Sequence, residues 1–237
     1  KPKIVLSKLI EKIGSKDVKE NNRIAPTDFC RSRKLPFSCL VITFINRLTK
    51  SLSVELTKFF LNFNLGEAVS KQSFSKARYK LKPNAFIDLN ETFVKSYYSY
   101  ASAQTHQLFK NKYLILGVDG SNYELPWTDD IVNEFGCADN KMNKQPRAMA
   151  TGVKIFDLLN EMTIVSRIST YKTSETSILD KLLSSCLEIL NSCQKSPCVL
   201  VGDTYYSGPI WLFAPETDLG AYAHSLKILI ENWLKWF

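Results

Sequence analysis

The pattern of apolar and polar positions changes near residue 112 and predicts a different kind of structure on each side. Before that point, apolar residues recur every three to four positions, which gives a helix one buried face. After it, short continuous apolar runs alternate with turn residues, which is typical of buried strands. We therefore predict a helical region over 1–110 and a strand-containing region over 111–237.

Four segments of the first region have helical spacing. They run from Leu35 to Ile45, from a cap at Ser51 or Ser53 to Asn64-Leu65-Gly66, from a cap at Ser70 to Leu81, and over 85–101. Serine caps and glycine or proline stops define their ends. The second and third helices, with a glycine-containing turn between them, resemble a helix-turn-helix. Residues 1–34 are basic and mixed, and we assign no helix to them.

The second region predicts a strand, a hairpin, a helix and a final strand. The strands cover 113–118, 148–156, 161–170 and 198–202, the hairpin turns at Asp157–Asn160, and the helix begins after Thr173 or Ser174 and runs to about Asn191. Residues 123–147 are predicted to be irregular. A crossover helix places the strand after it parallel to and beside an earlier strand. We expect the last strand to pair with the first.

An aspartate ends each of these two strands, Asp119 the first and Asp203 the last. If the strands are parallel neighbours, the two carboxylates meet at one edge of the sheet. Paired carboxylates suit Mg²⁺, a hard cation that prefers oxygen ligands. Two such ions can hold the attacking and leaving oxygens of a phosphodiester. The ordinary alternative is that each aspartate only caps a turn.

Charge is divided unevenly along the chain. The formal charge is +8, but residues 1–100 hold 19 Lys and Arg against 8 Asp and Glu. A basic helical region joined to a more acidic one indicates nucleic-acid binding, although a solvated basic surface is the ordinary alternative. The predicted DNA-binding side chains form two groups. They are Arg31, Arg33 and Lys34, expected to contact phosphates, and Lys71, Gln72, Lys76, Arg78 and Lys80 on the third helix.

Cysteine usage and hydropathy favour a cytosolic protein. The six cysteines include no CxxC pair, so we expect reduced thiols that pack in the core rather than bind metal. No apolar stretch approaches the roughly 20 residues that a membrane helix needs. We therefore expect no membrane partner.

Four segments, in this order, resemble the motifs of one family. They are Arg31-Ser32-Arg33-Lys34-Leu35-Pro36-Phe37, the segment from Val69 to Arg78, Val118-Asp119-Gly120-Ser121 with Leu125-Pro126, and Gly202-Asp203-Thr204-Tyr205-Tyr206-Ser207. They resemble the N-terminal signature, the helix-turn-helix segment and the first two catalytic strands of the DDE transposases of bacterial insertion sequences, in the insertion-sequence-four group. The resemblance extends over residues 29–212.

This resemblance implies an α/β fold in which a ribonuclease-H-like catalytic core follows an all-α DNA-binding region. It implies Mg²⁺-dependent or Mn²⁺-dependent cleavage and transfer of DNA strands in transposition. Asp119 and Asp203 would then be the first two catalytic, metal-binding acids. The implied partners are the terminal inverted repeats of the element and target DNA, bound by a homodimer at the nucleoid of the bacterial cytoplasm.

A third acid completes the metal site of this family, within the pattern Tyr, two residues, Arg, three residues, Glu, six residues, Lys. The candidates after Asp203 are Glu216 and Glu231, but His224 and Lys227 occupy the Tyr and Arg positions before Glu231. We therefore expect a core that is incomplete at its C-terminal end and impaired in catalysis. Two alternatives stay open: a non-catalytic DNA-binding remnant that inhibits full-length transposase, and a metal-dependent nuclease unrelated to transposition.

Overall fold

A computed structural model describes most of the chain and shows a mixed α/β protein. The described residues are 2–31, 34–46, 51–100, 106–139, 145–194, 196–202 and 212–213. The chain divides into two compact units, Lys1–Phe93 and Val94–Phe237. Within the described part there are eight α-helices and six strands.

Six helices precede the first strand. They are α1 (Pro2–Gly14), α2 (Lys16–Asn22), α3 (Phe37–Ile45), α4 (Leu52–Asn62), α5 (Lys71–Arg78) and α6 (Asn84–Tyr100). Helices α3 to α6 match the four predicted segments to within a few residues, and α5 is shorter than predicted. Helices α1 and α2 were missed. Helix α6 continues past the division between the two units.

Helix α5 forms where the sequence places its cap. The Ser70 hydroxyl accepts a hydrogen bond from the Ser73 backbone N–H at 3.2 Å, which satisfies one of the free donors of the first turn. Phe74 is buried, and its ring lies 5.2 Å from the Phe44 ring at their centroids. The apolar side of α5 therefore holds the helix in the core of the first unit, and its basic side chains lie outside that core.

The second unit contains a mixed sheet and two further helices. The strands are β1 (Leu114–Glu124), β2 (Cys137–Ala138), β3 (Arg147–Asp157), β4 (Met162–Thr170), β5 (Cys198–Val201) and β6 (Leu212–Phe213), and the helices are α7 (Asp129–Phe135) and α8 (Glu175–Cys193). The strand order is β2-β3-β1-β5-β6, with β4 also paired to β3. Only β1 and β5 pair in parallel among the described strands.

The predicted pairing of the strand over 113–118 with the strand over 198–202 is confirmed. Strand β5 lies beside β1 in parallel, in a register that runs from Leu114 opposite Cys198 to Gly117 opposite Val201. The hairpin of β3 and β4 is also confirmed, and β3 pairs with β1 on its other side. The crossover helix α8 packs against β3 and β4.

One side of β1 forms part of the buried core. Leu114, Leu116 and Val118 are buried, as expected for alternate positions of a strand that face the same side of a sheet. Helix α8 begins after Ser174, whose hydroxyl accepts from the Ser177 backbone N–H at 3.3 Å. Of the two predicted caps, Ser174 is therefore the one used.

Two predictions for the second unit were wrong. Residues 123–147 are not irregular throughout, because α7 and β2 form within them and Thr128 caps α7. Strand β1 does not end at residue 118 but continues to Glu124, because it pairs with β3 along its whole second half. Among the described helices, none is both long and apolar enough to cross a membrane.

Candidate functional site

A groove in the first unit brings together two predicted groups of basic side chains. Its volume is about 520 Å³. One wall is the segment that follows α2, and the other is α5 with the residues just after it. The lining is Thr27, Asp28, Phe29, Cys30, Arg31, Lys34, Leu35, Pro36, Val69, Ser73, Lys76, Ala77 and Lys80.

Backbone hydrogen bonds fix the two walls against each other. The Ile24 N–H donates to the Lys80 carbonyl at 3.0 Å, and the Lys82 N–H donates to the Asn22 carbonyl at 2.8 Å. Arg23 and Leu81 form an isolated antiparallel bridge between them. Residues almost sixty positions apart in the sequence are therefore held in a short two-stranded contact at one end of the groove.

Asp28 strengthens the same junction. Its carboxylate accepts from the Ala25 backbone N–H at 2.9 Å and forms an ion pair of 3.0 Å with the Lys80 ammonium. These two contacts, in that order, hold the pKa of Asp28 below its ordinary value. Phe29 follows with a positive φ of 57° and packs edge-on against Phe37, with 5.5 Å between ring centroids. The wall is thus a fixed turn rather than an open loop.

The cations of the groove differ in their partners. Lys80 is paired with Asp28, and Lys34 is paired at 3.0 Å with Glu67, whose side chain is 86% exposed. The hydrogen bond from Lys34 lowers the pKa of Glu67. Arg31 and Lys76 form no ion pair with another described residue, and both are exposed. Four cations thus face one internal acid, Asp28, in the described lining.

The structure separates the predicted DNA-binding residues into two sets. Arg31, Lys34, Lys76 and Lys80 line the groove. Lys71, Gln72 and Arg78 are exposed on α5 but are not part of the lining, and the Arg78 guanidinium lies 5.2 Å from the centre of the Tyr79 ring. Arg33 lies outside the described residues.

Asp119 lies on β1 in the second unit and is accessible. It occurs in the middle of the strand, not at its end as predicted, because β1 continues to Glu124. Its side chain is 61% exposed, and its Oδ2 lies 3.5 Å from Nζ of Lys154, the residue opposite it on β3. The carboxylate therefore has a cation on one side and solvent on the other.

The residue after Asp119 is covered by a carboxylate that sequence reasoning missed. A Cβ atom added to Gly120 would lie 2.2 Å from both Cδ and Oε2 of Glu175. Only glycine lets the Glu175 carboxylate approach the backbone of β1 this closely. Glu175 is the first residue of α8, where a negative charge is favourable near the helix N-terminus. The position of Glu175 in the sequence predicts a favourable charge at the N-terminus of α8, but not the approach of its carboxylate to β1.

Asp203 and both later candidate acids, Glu216 and Glu231, lie outside the described residues. The structure describes the parallel register of β1 and β5 up to residue 201. The last parallel pair is Gly117 with Val201, two residues before Asp119 and Asp203 respectively. Among the described residues, no group of three or more His, Cys, Asp or Glu side chains is placed to hold a metal ion.

A buried polar network around Asp157 was also not predicted. Asp157 is fully buried at the end of β3 and accepts hydrogen bonds from the Tyr98 hydroxyl and from the Asn160 side-chain amide, the latter at 2.7 Å. The backbone N–H groups of Leu159 and Asn160 donate to its other oxygen at 3.0 and 3.1 Å. Burial, with the Asp157 charge in addition, raises the pKa of Tyr98 far above its ordinary value.

Comparison with known proteins gives no relative. No family model, no curated protein and no solved structure matches the chain.

Proposed function

We propose that the chain is a transposase that binds DNA and cleaves and transfers its strands with the help of a divalent metal ion. The observation that carries the proposal is the parallel pairing of β1 with β5, in which Gly117 and Val201 are opposite each other. In the sequence, an aspartate follows each residue of this pair two positions later, Asp119 after Gly117 and Asp203 after Val201. This is the order that a ribonuclease-H-like catalytic core requires.

Asp119 fits the role of a metal ligand in one respect and is constrained in another. An exposed carboxylate is a suitable oxygen ligand for hydrated Mg²⁺ or Mn²⁺. The Lys154 ammonium at 3.5 Å is a competing cation, so metal binding would weaken or displace that ion pair. Asp119 and Asp203 would hold the ion together, and a bound ion would activate water and offset charge on the phosphate.

The basic groove supports the DNA-binding part of the proposal. The helices before β1 would form an all-α DNA-binding region, and the groove cations would hold the terminal inverted repeats and the target DNA. The chain would act as a homodimer on DNA in the bacterial cytoplasm. These assignments extend the motif resemblance of the sequence. The grouping of Arg31, Lys34, Lys76 and Lys80 in one groove supports the DNA-binding assignment alone.

A second candidate function is a non-catalytic DNA-binding protein that inhibits an intact transposase. The sequence favours it, because His224 and Lys227 occupy the Tyr and Arg positions of the family pattern before Glu231. In addition, the Asp119 carboxylate forms an ion pair with Lys154. In this function the groove would still bind DNA, while the acids of β1 and β5 would have no catalytic role.

The deciding experiment measures cleavage of DNA that carries the ends of the chain's own element, with Mg²⁺ or Mn²⁺. Asp119→Asn and Asp203→Asn are expected to reduce cleavage by more than the roughly 10–100-fold that loss of an outer metal partner costs. Asp130→Asn is the matched control, because Asp130 is an exposed aspartate on α7 of the same unit. Cleavage that survives both variants would refute the catalytic assignment. DNA binding without cleavage by the unaltered chain would favour the inhibitor.

A further inference from the structure

The cationic groove carries an inference about how the chain recognises nucleic acid. We propose that it holds the phosphate backbone of a nucleic-acid strand without reading its bases, and that Glu67 competes with phosphate for Lys34. The inference deepens the proposed function and rests on its DNA-binding part alone. It does not depend on the acids of β1 or on any metal ion.

The cations of the groove are only partly balanced by acidic side chains. Lys80 already has Asp28 as a partner, and this pair, supported by the Ala25 N–H, braces the two walls. Arg31 and Lys76 have no acidic partner among the described residues, so their charges are available to a ligand. An anion that entered between the walls would meet cations from both of them.

The volume and the exposure of the groove restrict the form of the ligand. A volume of about 520 Å³ is within the range of small-molecule pockets, so volume alone does not decide. A pocket for a small anion has buried, convergent donors, whereas Lys34 and Lys80 are 61% and 44% exposed. A further basic side chain, Arg78, is exposed on α5 outside the groove. An extended polyanion matches this distribution better than a free phosphate ion.

The lining favours nucleic acid over an acidic peptide. It contains apolar side chains, including Phe29, Leu35 and Val69, as well as the cations. Sugars between regularly spaced phosphates can contact such apolar side chains while the phosphates meet the cations. Three of the four cations in the lining are lysines. A lysine ammonium is a flexible point charge, which positions phosphates but does not distinguish base edges.

Glu67 competes with a bound phosphate for Lys34. Its carboxylate neutralises Lys34 from the outside of the groove, and the pair is largely exposed, so solvent screens it. A nucleic-acid phosphate offers Lys34 an equivalent charged partner. Nucleic-acid binding therefore replaces the Glu67 carboxylate by a phosphate at Lys34. Because the pair with Glu67 is lost, Lys34 contributes less free energy to nucleic-acid binding. Removal of the Glu67 charge removes the competitor.

The test is a binding titration of the full chain with a fluorescent DNA duplex and its single strand, in EDTA, so that cleavage does not interfere. Lys76→Gln is compared with Lys71→Gln, an equal charge change on the same helix outside the groove. We expect Lys76→Gln to weaken binding about tenfold near 0.1 M salt and to reduce the salt slope by about 1, equally for all sequences. Lys71→Gln is expected to have a smaller effect on both.

The Glu67 role has its own matched pair. Glu67→Gln is expected to tighten DNA binding severalfold, whereas Glu20→Gln, which also removes the acid of an exposed ion pair in the first unit, is expected to have less effect. Equal effects of the two variants would overturn the competition between Glu67 and phosphate, because they would reflect net charge alone.

A footprint on the unaltered chain does not depend on any variant. Cys30 lines the groove and is exposed, so DNA should protect it from alkylation, while Cys137 in the second unit reports general changes. Protection of Cys30 alone supports the groove as the DNA-binding site.

DNA binding without this protection would show that the groove is not the DNA-binding site, and so would equal losses of binding in Lys76→Gln and Lys71→Gln. Either result leaves DNA binding and cleavage by the chain intact. Displacement of DNA by inorganic phosphate or polyglutamate at matched charge overturns the nucleic-acid assignment. A chain that binds no DNA refutes both proposals.

Discussion

Two aspartates of the same sheet differ in burial and in the number of their hydrogen-bond partners. Asp157 at the end of β3 is fully buried and accepts four hydrogen bonds, two from side chains and two from the backbone. Asp119 on the neighbouring strand β1 is 61% exposed and has a single cation at 3.5 Å. Donors within the protein satisfy both carboxylate oxygens of Asp157. Asp119 has oxygen lone pairs that are exposed to solvent and can accept from a ligand.

The difference has an energetic basis. A buried carboxylate is tolerated only when hydrogen bonds replace its lost hydration. Loss of any donor to Asp157 should therefore lower the free energy of unfolding. An exposed ion pair contributes little to folding because water and salt screen it. The region around Asp157 should therefore govern stability. If the proposed function holds, the region around Asp119 should govern metal binding and cleavage.

The largest expected effect comes from removing the buried carboxylate. Asp157→Ala leaves the donors from Tyr98, Leu159 and Asn160 without their acceptor, and we expect a loss of at least about 3 kcal/mol of stability. Asp119→Ala is expected to change stability by less than about 0.5 kcal/mol, because its side chain is exposed. Urea unfolding combined with hydrogen exchange of β3 measures both. Similar losses in the two variants would show that burial does not separate the two roles.

The next effect separates two neighbouring tyrosines. The Tyr98 hydroxyl donates to the charged Asp157, whereas the Tyr97 hydroxyl donates to the neutral Asn160 side chain at 2.9 Å. We expect Tyr98→Phe to cost about 1.5–3 kcal/mol and Tyr97→Phe about 0.5–1.5 kcal/mol. The same unfolding measurements apply. A larger loss in Tyr97→Phe would mean that Asn160, rather than Asp157, is the centre of the network.

Much of the secondary structure could be predicted because it depends on local signals. Ser70 and Ser174 cap helices where the sequence places them, and the apolar runs of β1 and β5 identify two strands. Helix α1 was missed because its apolar residues surround the helix. Val5 and Ile13 are buried, while Ile4, Leu6 and Ile10 are about half exposed, which blurs the period of the pattern.

The candidate sites depend on contacts between distant parts of the sequence, and these could be predicted only in part. Composition identifies the basic side chains, but the groove needs the pairing of Arg23 with Leu81, which no local pattern indicates. The approach of Glu175 to Gly120 and of Tyr98 to Asp157 likewise arises from the packing of separate elements. Strand order was predictable because the crossover helix restricts the topology.

A smaller effect depends on pH and concerns His106, which is buried against the Tyr98 ring. Burial lowers the pKa of His106 below its ordinary value of 6.5, and Asp157 opposes this only in part. The unfolded chain therefore takes up the proton first as the pH falls. The stabilising contribution of neutral His106 is present above pH 6.5 and is lost below it.

The variant His106→Phe keeps a ring at this position and removes the titration. We expect the fall in unfolding free energy between about pH 7 and 5 to become shallower in this variant. His224→Phe is the matched control, because it removes the only other histidine of the chain. A slope that changes equally in both variants would show that the pH dependence does not originate at His106.

The smallest effect on stability is expected at Gly120, beside Asp119. In Gly120→Ala the new Cβ would meet the Glu175 carboxylate at 2.2 Å, but this is the end of a flexible side chain and can move away. The cost should be below about 1 kcal/mol, and Gly117→Ala, whose Cβ meets Leu158 at 2.9 Å, is the matched control on the same strand.

What Gly120→Ala should change is the position of Glu175. If that carboxylate contributes to metal-dependent cleavage at Asp119, Gly120→Ala and Glu175→Ala should reduce cleavage to a similar extent, and the double variant should be no worse than either. Cleavage rates and unfolding midpoints of all three variants measure this coupling. Losses that add in the double variant would mean that the two residues act independently. A loss of stability as large as that of Asp157→Ala would mean that this edge of β1 is part of the structural framework.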